Sequence, residues 1–216
     1  MSPNKEVLSE KSQPTWQQAW SSISFRVQLI VTLLTITGLA MSWPYFFDFL
    51  EARSGPQLND VFLNLLPAAD VSWVVFFFLY GGIFIAIYGL IKYPRQLLLA
   101  LETYALVTLL RMLTITLFPL NPPADYIPLR EPFAQLFVSD HRIISKDLFF
   151  SGHMATICSL FFPIHIKRVR FIVLICIVGV AFTVLVQRVH YTIDVLFSPF
   201  ITFACYYFFR RFFSKF

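Results

Sequence analysis

Of the 216 residues of this chain, 57% are hydrophobic and only 13% carry charge, too few to cover the surface of a water-soluble domain. The composition excludes a soluble enzyme and implies an integral membrane protein, with the 26 phenylalanines suited to lipid-facing surfaces and interfacial belts. A net charge of +5 is then a matter of which side of a bilayer the basic residues occupy, and nucleic acid is not an expected partner. Cys158, Cys176 and Cys205 lie inside apolar stretches at spacings that match no zinc or redox pattern, so they read as small packing residues.

Residues 1–25 are polar and lack the apolar run of a cleavable signal peptide. Thr15 and Gln18 fit a capping box, and Trp16, Trp20 and Ile23 then share one helical face. Either a short helix resting among lipid headgroups or a disordered tail fits this region. The remainder, 26–216, reads as one all-α catalytic unit of six transmembrane helices at about 27–47, 71–91, 97–118, 148–165, 171–188 and 191–209, each near the length that crosses the hydrocarbon layer. Between the third and fourth, Pro119, Pro122, Pro123, Pro128 and Pro132 rule out a regular helix, leaving a long loop that is either an ordered lid or a plain connector.

Basic residues collect on the cytoplasmic side of membrane proteins. Placing both termini there puts Lys5, Lys11, Arg26, Lys92, Arg95, Lys167, Arg168, Arg170, Arg210, Arg211 and Lys215 on that side. Glu51, Asp60, Asp70, Asp125, Glu131, Asp140 and Asp147 fall on the other. This orientation, obtained without reference to any histidine, brings two polar stretches to the same outer face. Phe149-Phe150-Ser151-Gly152-His153 opens the fourth span and His190-Tyr191-Thr192-Ile193-Asp194-Val195 opens the sixth. Ionisable groups at such positions are costly unless they serve a function. His190 and Asp194 are four residues apart, so a helix makes them neighbours and lets the carboxylate orient the imidazole. Ser151-Gly152 would begin a helix whose free N–H groups attract an anion such as phosphate. Singly, each residue fits a cap or an interfacial hydrogen bond; together they point to catalysis.

Asp147-Leu148-Phe149-Phe150-Ser151-Gly152-His153 followed by His190-Tyr191-Thr192-Ile193-Asp194-Val195 resembles the paired signature of the sphingomyelin synthase family, within the wider type 2 phosphatidic acid phosphatase group. Arg111-Met112-Leu113-Thr114 with Leu117-Phe118-Pro119 resembles the family's third-helix block, so the similarity runs from about Glu102 to the end. The resemblance implies a six-helix enzyme that moves a phosphoalcohol headgroup from a glycerophospholipid to a ceramide. His190 would be the nucleophile that becomes phosphorylated, Asp194 its partner, and His153 the acid and base. Ser151, Gly152, Arg111, Arg188, Asp147 and Tyr191 are the candidate substrate contacts. The wider phosphatase pattern has an arginine six residues before the last histidine; here that position is Val184, and Arg188 lies only two before it. A site with so few cations suits a phosphodiester, which carries one negative charge fewer than a monoester. Ser145-Lys146 replaces the family's usual cysteine-glycine.

Arg111 either reaches a phosphate, which its facing the same side as the motifs favours, or snorkels to the surface, whereas Glu102, nine residues earlier, faces the opposite side and reads as an interhelical contact. His141 and His165 stand in no motif and read as solvated or interfacial. No metal or other cofactor is expected, because no carboxylates cluster at ligand spacing. The partners are membrane lipids. The small size points to a bacterial inner membrane with the site on the extracytoplasmic side, and the sequence carries no signal for oligomeric state. Two rival functions stay open: a lipid phosphatase with water as acceptor, and a small transporter with a proton relay, although no internal repeat supports the latter.

Overall fold

The computed structural model describes residues 13–129 and 144–213, and every regular element among them is an α-helix. The first, α1 (Trp16–Ser21), begins with the expected capping box between Thr15 and Gln18. The Trp16 indole N–H donates to the Ile91 carbonyl at 2.6 Å, which docks this short helix on one end of the bundle. Ser22 then caps α2 (Ile23–Glu51) through the Phe25 N–H. A four-residue helix, α3 (Val61–Asn64), is capped by Asp60. The remaining helices are α4 (Ser72–Leu90), α5 (Pro94–Leu117, with proline in its first turn), α6 (Gly152–Phe161), α7 (Lys167–Val186) and α8 (Thr192–Phe212).

Five of these, α2, α4, α5, α7 and α8, are long and apolar enough to cross a membrane, so the chain is a polytopic helical membrane protein. The expected span at 148–165 is corrected to the ten-residue α6. At 1.5 Å per residue it is about 15 Å long, roughly half a hydrocarbon layer. Ser151 stops the helix at one end by accepting from the Met154 N–H, and Pro163 forbids its continuation at the other.

This short helix nevertheless sits at the centre, packed against α4, α5, α7 and α8. Its buried side chains are small or slender, namely Met154, Ala155, Ile157, Cys158 and Ser159, and the Ser159 hydroxyl is satisfied by the Ala155 carbonyl at 2.8 Å. A central helix shielded from lipid on several sides need not span the bilayer. Where α4 meets α6 and α7, a Cβ on Gly82 would lie 2.5 Å from Ile157 Cδ1 and 2.9 Å from Cys176 Cβ, so only glycine permits that approach. Close packing of this kind, and not expulsion of water, holds helices together in lipid. All three cysteines are buried and free, as expected.

One end of the bundle gathers the end of α2, α3, the starts of α4, α6 and α8, and the turn after α7. Contacts between Asp60 and Thr192, Gly55 and Asn121, and Glu51 and Ser145 join these pieces. The loop between α5 and α6 is irregular wherever it is described, and the Tyr126 hydroxyl bridges it by donating to the Ile144 carbonyl at 2.9 Å. Burial, with the nearby charges of Glu51 and Asp147, pushes the Tyr126 phenol up to about 12. Residues 130–143 of that loop, with His141, lie outside the described residues, as do 1–12 of the tail.

Candidate active site

The turn between α7 and α8 is fixed from three directions. Gln187, fully buried, accepts the Val71 N–H at 2.5 Å and donates to Asp70 and Ser72 and to the carbonyls of Ile127 and Pro128. Arg188 adopts the left-handed backbone region, φ 60°, which reverses the chain, and its guanidinium donates to the Leu66 carbonyl at 2.7 Å. Asp60 accepts both the N–H and the hydroxyl of Thr192, at 2.5 and 3.0 Å. Although desolvation alone would raise the Asp60 carboxyl, hydrogen bonds from Leu63 and Thr192 hold it below its ordinary range. His190, 2% exposed, is therefore set on a rigid hairpin.

Within the first turn of α8, Asp194 accepts the Tyr191 N–H at 3.0 Å, and the same oxygen stands 3.5 Å from His190 Nδ1. That separation is slightly longer than a hydrogen bond, as is common for catalytic pairs without substrate. His190 Nδ1 and Asp194 Oδ1 have no other partner among the described residues, so the carboxylate is the group that sets the tautomer: proton on Nδ1, lone pair on Nε2. That lone pair faces His153 Nδ1 at 3.4 Å, with the two rings at 72°. The buried ring of Phe76 lies 6.4 Å from the His153 ring and forms an apolar wall.

Helix α5 supplies the third component. Arg111, 6% exposed, donates from Nε to the Phe150 carbonyl at 2.8 Å and from Nη2 to Asp147 at 2.6 Å. Its guanidinium lies flat against the start of α6: a Cβ on Gly152 would come within 2.5 Å of Nη1. The backbone N–H groups at the head of α6 and the guanidinium thus converge where an anion would bind. Its charge is already partly balanced by Asp147.

The expected contacts divide into two groups. His153, His190, Asp194, Arg111, Asp147 and Gly152 come together. Ser151 and Tyr191 are engaged elsewhere, and Arg188 bonds the Leu66 carbonyl through Nη2 while its buried Nε has no partner among the described residues. Ser151 N–H donates to the Asp194 carbonyl at 3.1 Å and its own carbonyl accepts from Ser198 Oγ at 2.9 Å, pinning α6 to α8. Tyr191 donates to the Asn121 carbonyl and accepts the Leu58 N–H. Glu51, Asp60, Gln187 and Ser198, which support the site, were not expected. Glu51 accepts the N–H groups of Ser145 and Lys146, at 2.6 and 2.9 Å, and so holds the strand of chain leading to Asp147. Lys146 Nζ returns to the Glu51 and Arg53 carbonyls.

Residues 146–211 match the family model described as PAP2 superfamily C-terminal. The match takes in Asp147, both histidines and Asp194, and leaves Arg111 outside. No curated protein matches the chain. A PAP2-like module with His153 and His190 apposed and Arg111 paired to Asp147 supports enzymatic activity of the phosphatase or phosphotransferase type. Among the described residues no three His, Cys, Asp or Glu side chains gather as a metal site.

Proposed function

We propose that the protein is a membrane phosphotransferase that moves a phosphoalcohol headgroup from a glycerophospholipid to a ceramide-like lipid alcohol through a phosphohistidine. The observation that carries this reading is the line Asp194, His190, His153, with carboxylate and imidazoles 3.5 and 3.4 Å apart, beside an arginine already paired to a carboxylate. Both termini would be cytoplasmic, the short α6 would count as the sixth membrane helix, and the histidines would face the extracytoplasmic side.

In the first step His190 Nε2 attacks phosphorus, the bond to the diacylglycerol oxygen breaks, and His153 gives that oxygen a proton. In the second, neutral His153 takes the proton of the acceptor alcohol, whose oxygen displaces Nε2 from phosphorus. An attacking nitrogen, a phosphorus, a leaving oxygen and its proton donor in line need roughly 7 Å between the two nitrogens. The histidines at 3.4 Å are therefore in a closed resting contact that substrate entry must open by rotating His153. The sphingomyelin synthase resemblance favours a lipid acceptor, as does the apolar wall at Phe76, which limits water. Arg111, half-neutralised by Asp147, suits a diester donor better than a doubly charged monoester.

The test is to supply purified protein with phosphatidylcholine or phosphatidylethanolamine, with and without ceramide. Beyond the one equivalent of diacylglycerol per protein released as the phosphohistidine forms, diacylglycerol and a ceramide phospholipid should form in equal amounts, and only when ceramide is present. Release of free phosphate or phosphoalcohol at a rate indifferent to ceramide would make the protein a hydrolase.

A further inference from the structure

The opposite end of the bundle contains a second polar feature that the chemistry above does not use. Glu102 is only 7% exposed, lies in the first half of α5, and has no hydrogen-bond or ion-pair partner among the described residues. The interhelical contact expected from the sequence is not made. Instead the carboxylate lines a small open cleft with Gln28, Arg95, Phe25, Leu99 and Phe213, where the starts of α2 and α5 meet the end of α8. An unpaired carboxylate is one of the costliest groups to keep in such a place, so its retention points to a ligand.

The lining selects the ligand's chemistry. Arg95 and Glu102 share a face of α5 two turns apart, about 10 Å, too far for a direct ion pair from these rigid positions but suited to a molecule with an anionic and a cationic group. A bare anion would meet Glu102, and a purely apolar molecule would leave it unsatisfied. A metal ion would find oxygen ligands on only two side chains of the lining, Glu102 and Gln28, well short of a six- to eight-oxygen shell. A primary ammonium has three donors, enough for Glu102 and the Gln28 amide oxygen, while a neighbouring phosphate can take Arg95. Phe25, Leu99 and Phe213 offer apolar surface for the attached glycerol and acyl carbons. We infer that this cleft binds the headgroup of an ethanolamine phospholipid from the leaflet opposite the histidines, its phosphate on Arg95 and its ammonium on Glu102.

The test is native mass spectrometry of the delipidated full chain with phosphatidylethanolamine, phosphatidylcholine or phosphatidylglycerol of identical acyl chains, one at a time. The wild-type chain should retain the ethanolamine lipid about tenfold better than the other two, the worth of a charge-assisted hydrogen bond. Choline has no N–H to donate and glycerol no positive charge. The near-isosteric Glu102→Gln should abolish the preference, Arg95→Gln should weaken retention of all three, and Lys92→Gln, which removes a charge from the same end, should change nothing. Any ethanolamine lipid held at the histidines is common to wild type and Glu102→Gln, so the cleft is read from their difference. Equal retention of the three lipids by wild type, or a preference that survives in Glu102→Gln, would overturn the assignment whether or not the chain transfers headgroups.

Discussion

At the histidine end of the bundle each supporting carboxylate has a partner, whereas at the other end Glu102 has none among the described residues. Glu51 holds Ser145 and Lys146, Asp60 holds Thr192, Asp147 holds Arg111, and Asp194 holds Tyr191. These bonds fix loops and helix starts, whereas His190 with Asp194, the pair proposed to move protons, is left slack at 3.5 Å. At the other end Ser22 caps the start of α2, α5 starts on a proline with no side-chain cap, and the carboxylate is left to line the cleft. The difference teaches that a buried charge used for architecture is satisfied within the fold, and one used for chemistry or binding is left for the substrate to satisfy.

The strongest way to break this comparison is at the slack pair. His190→Ala should lower headgroup transfer by about 10⁴-fold or more and remove the covalent intermediate, and Asp194→Asn should cost about 10²- to 10⁴-fold while still allowing slow labelling. If either variant transfers headgroup at the wild-type rate in a lipid assay, the two histidine neighbours have been misassigned. Next in size is Gly152→Ala. Its methyl would displace the Arg111 guanidinium, so turnover should fall about 10²-fold, the loss typical of one removed charge-stabilising donor, while thermal unfolding shifts little. A large unfolding shift with unchanged turnover would mean that Arg111 serves only the fold.

Asp60 tests the architectural side. Asp60→Asn weakens a helix cap and the tie to Thr192 and should cost about 1 kcal/mol of stability with turnover nearly intact. Because its folded value lies below the ordinary 3.8, its stabilising share is complete above that pH and is lost as pH falls through the lower folded value. The stability difference between wild type and Asp60→Asn should therefore stay constant at neutral pH and narrow as the pH is taken below 3.8 in acid unfolding. The smallest effect is a labelling pattern. A cysteine at Asp125 should react with an impermeant thiol reagent from outside intact spheroplasts and one at Lys92 should not, against a silent background because the three native cysteines are buried. The reverse pattern would invert the orientation.

Much of this was legible in the sequence because it rested on local rules. Hydropathy located the spanning helices, Thr15 with Gln18 announced a capping box, and the four-residue spacing of His190 and Asp194 made them neighbours. Helix α6 was drawn too long because a hydropathy window does not weigh a cap at Ser151 against a proline at 163, nor does it reveal that the surrounding helices shield a short element. The supporting carboxylates were hidden for another reason. Glu51 and Asp60 meet partners some 94 and 132 residues away, and no spacing rule reaches that far. Tyr191 reads as a substrate contact by proximity to His190, yet its hydroxyl turns towards Leu58 and Asn121, and Arg188 next to it spends Nη2 on the Leu66 carbonyl.

The central claim is that phosphorus passes through His190 on its way between two lipid alcohols. It is tested most directly by quenching the purified protein with a glycerophospholipid donor and no acceptor, then mapping the modified peptide by mass spectrometry under conditions that preserve phosphoramidates. The account predicts a phosphoalcohol adduct on His190 that ceramide discharges stoichiometrically into a ceramide phospholipid and that is absent in His190→Ala. Product formation in that variant, or a wild-type adduct on another residue that ceramide leaves untouched, would contradict it.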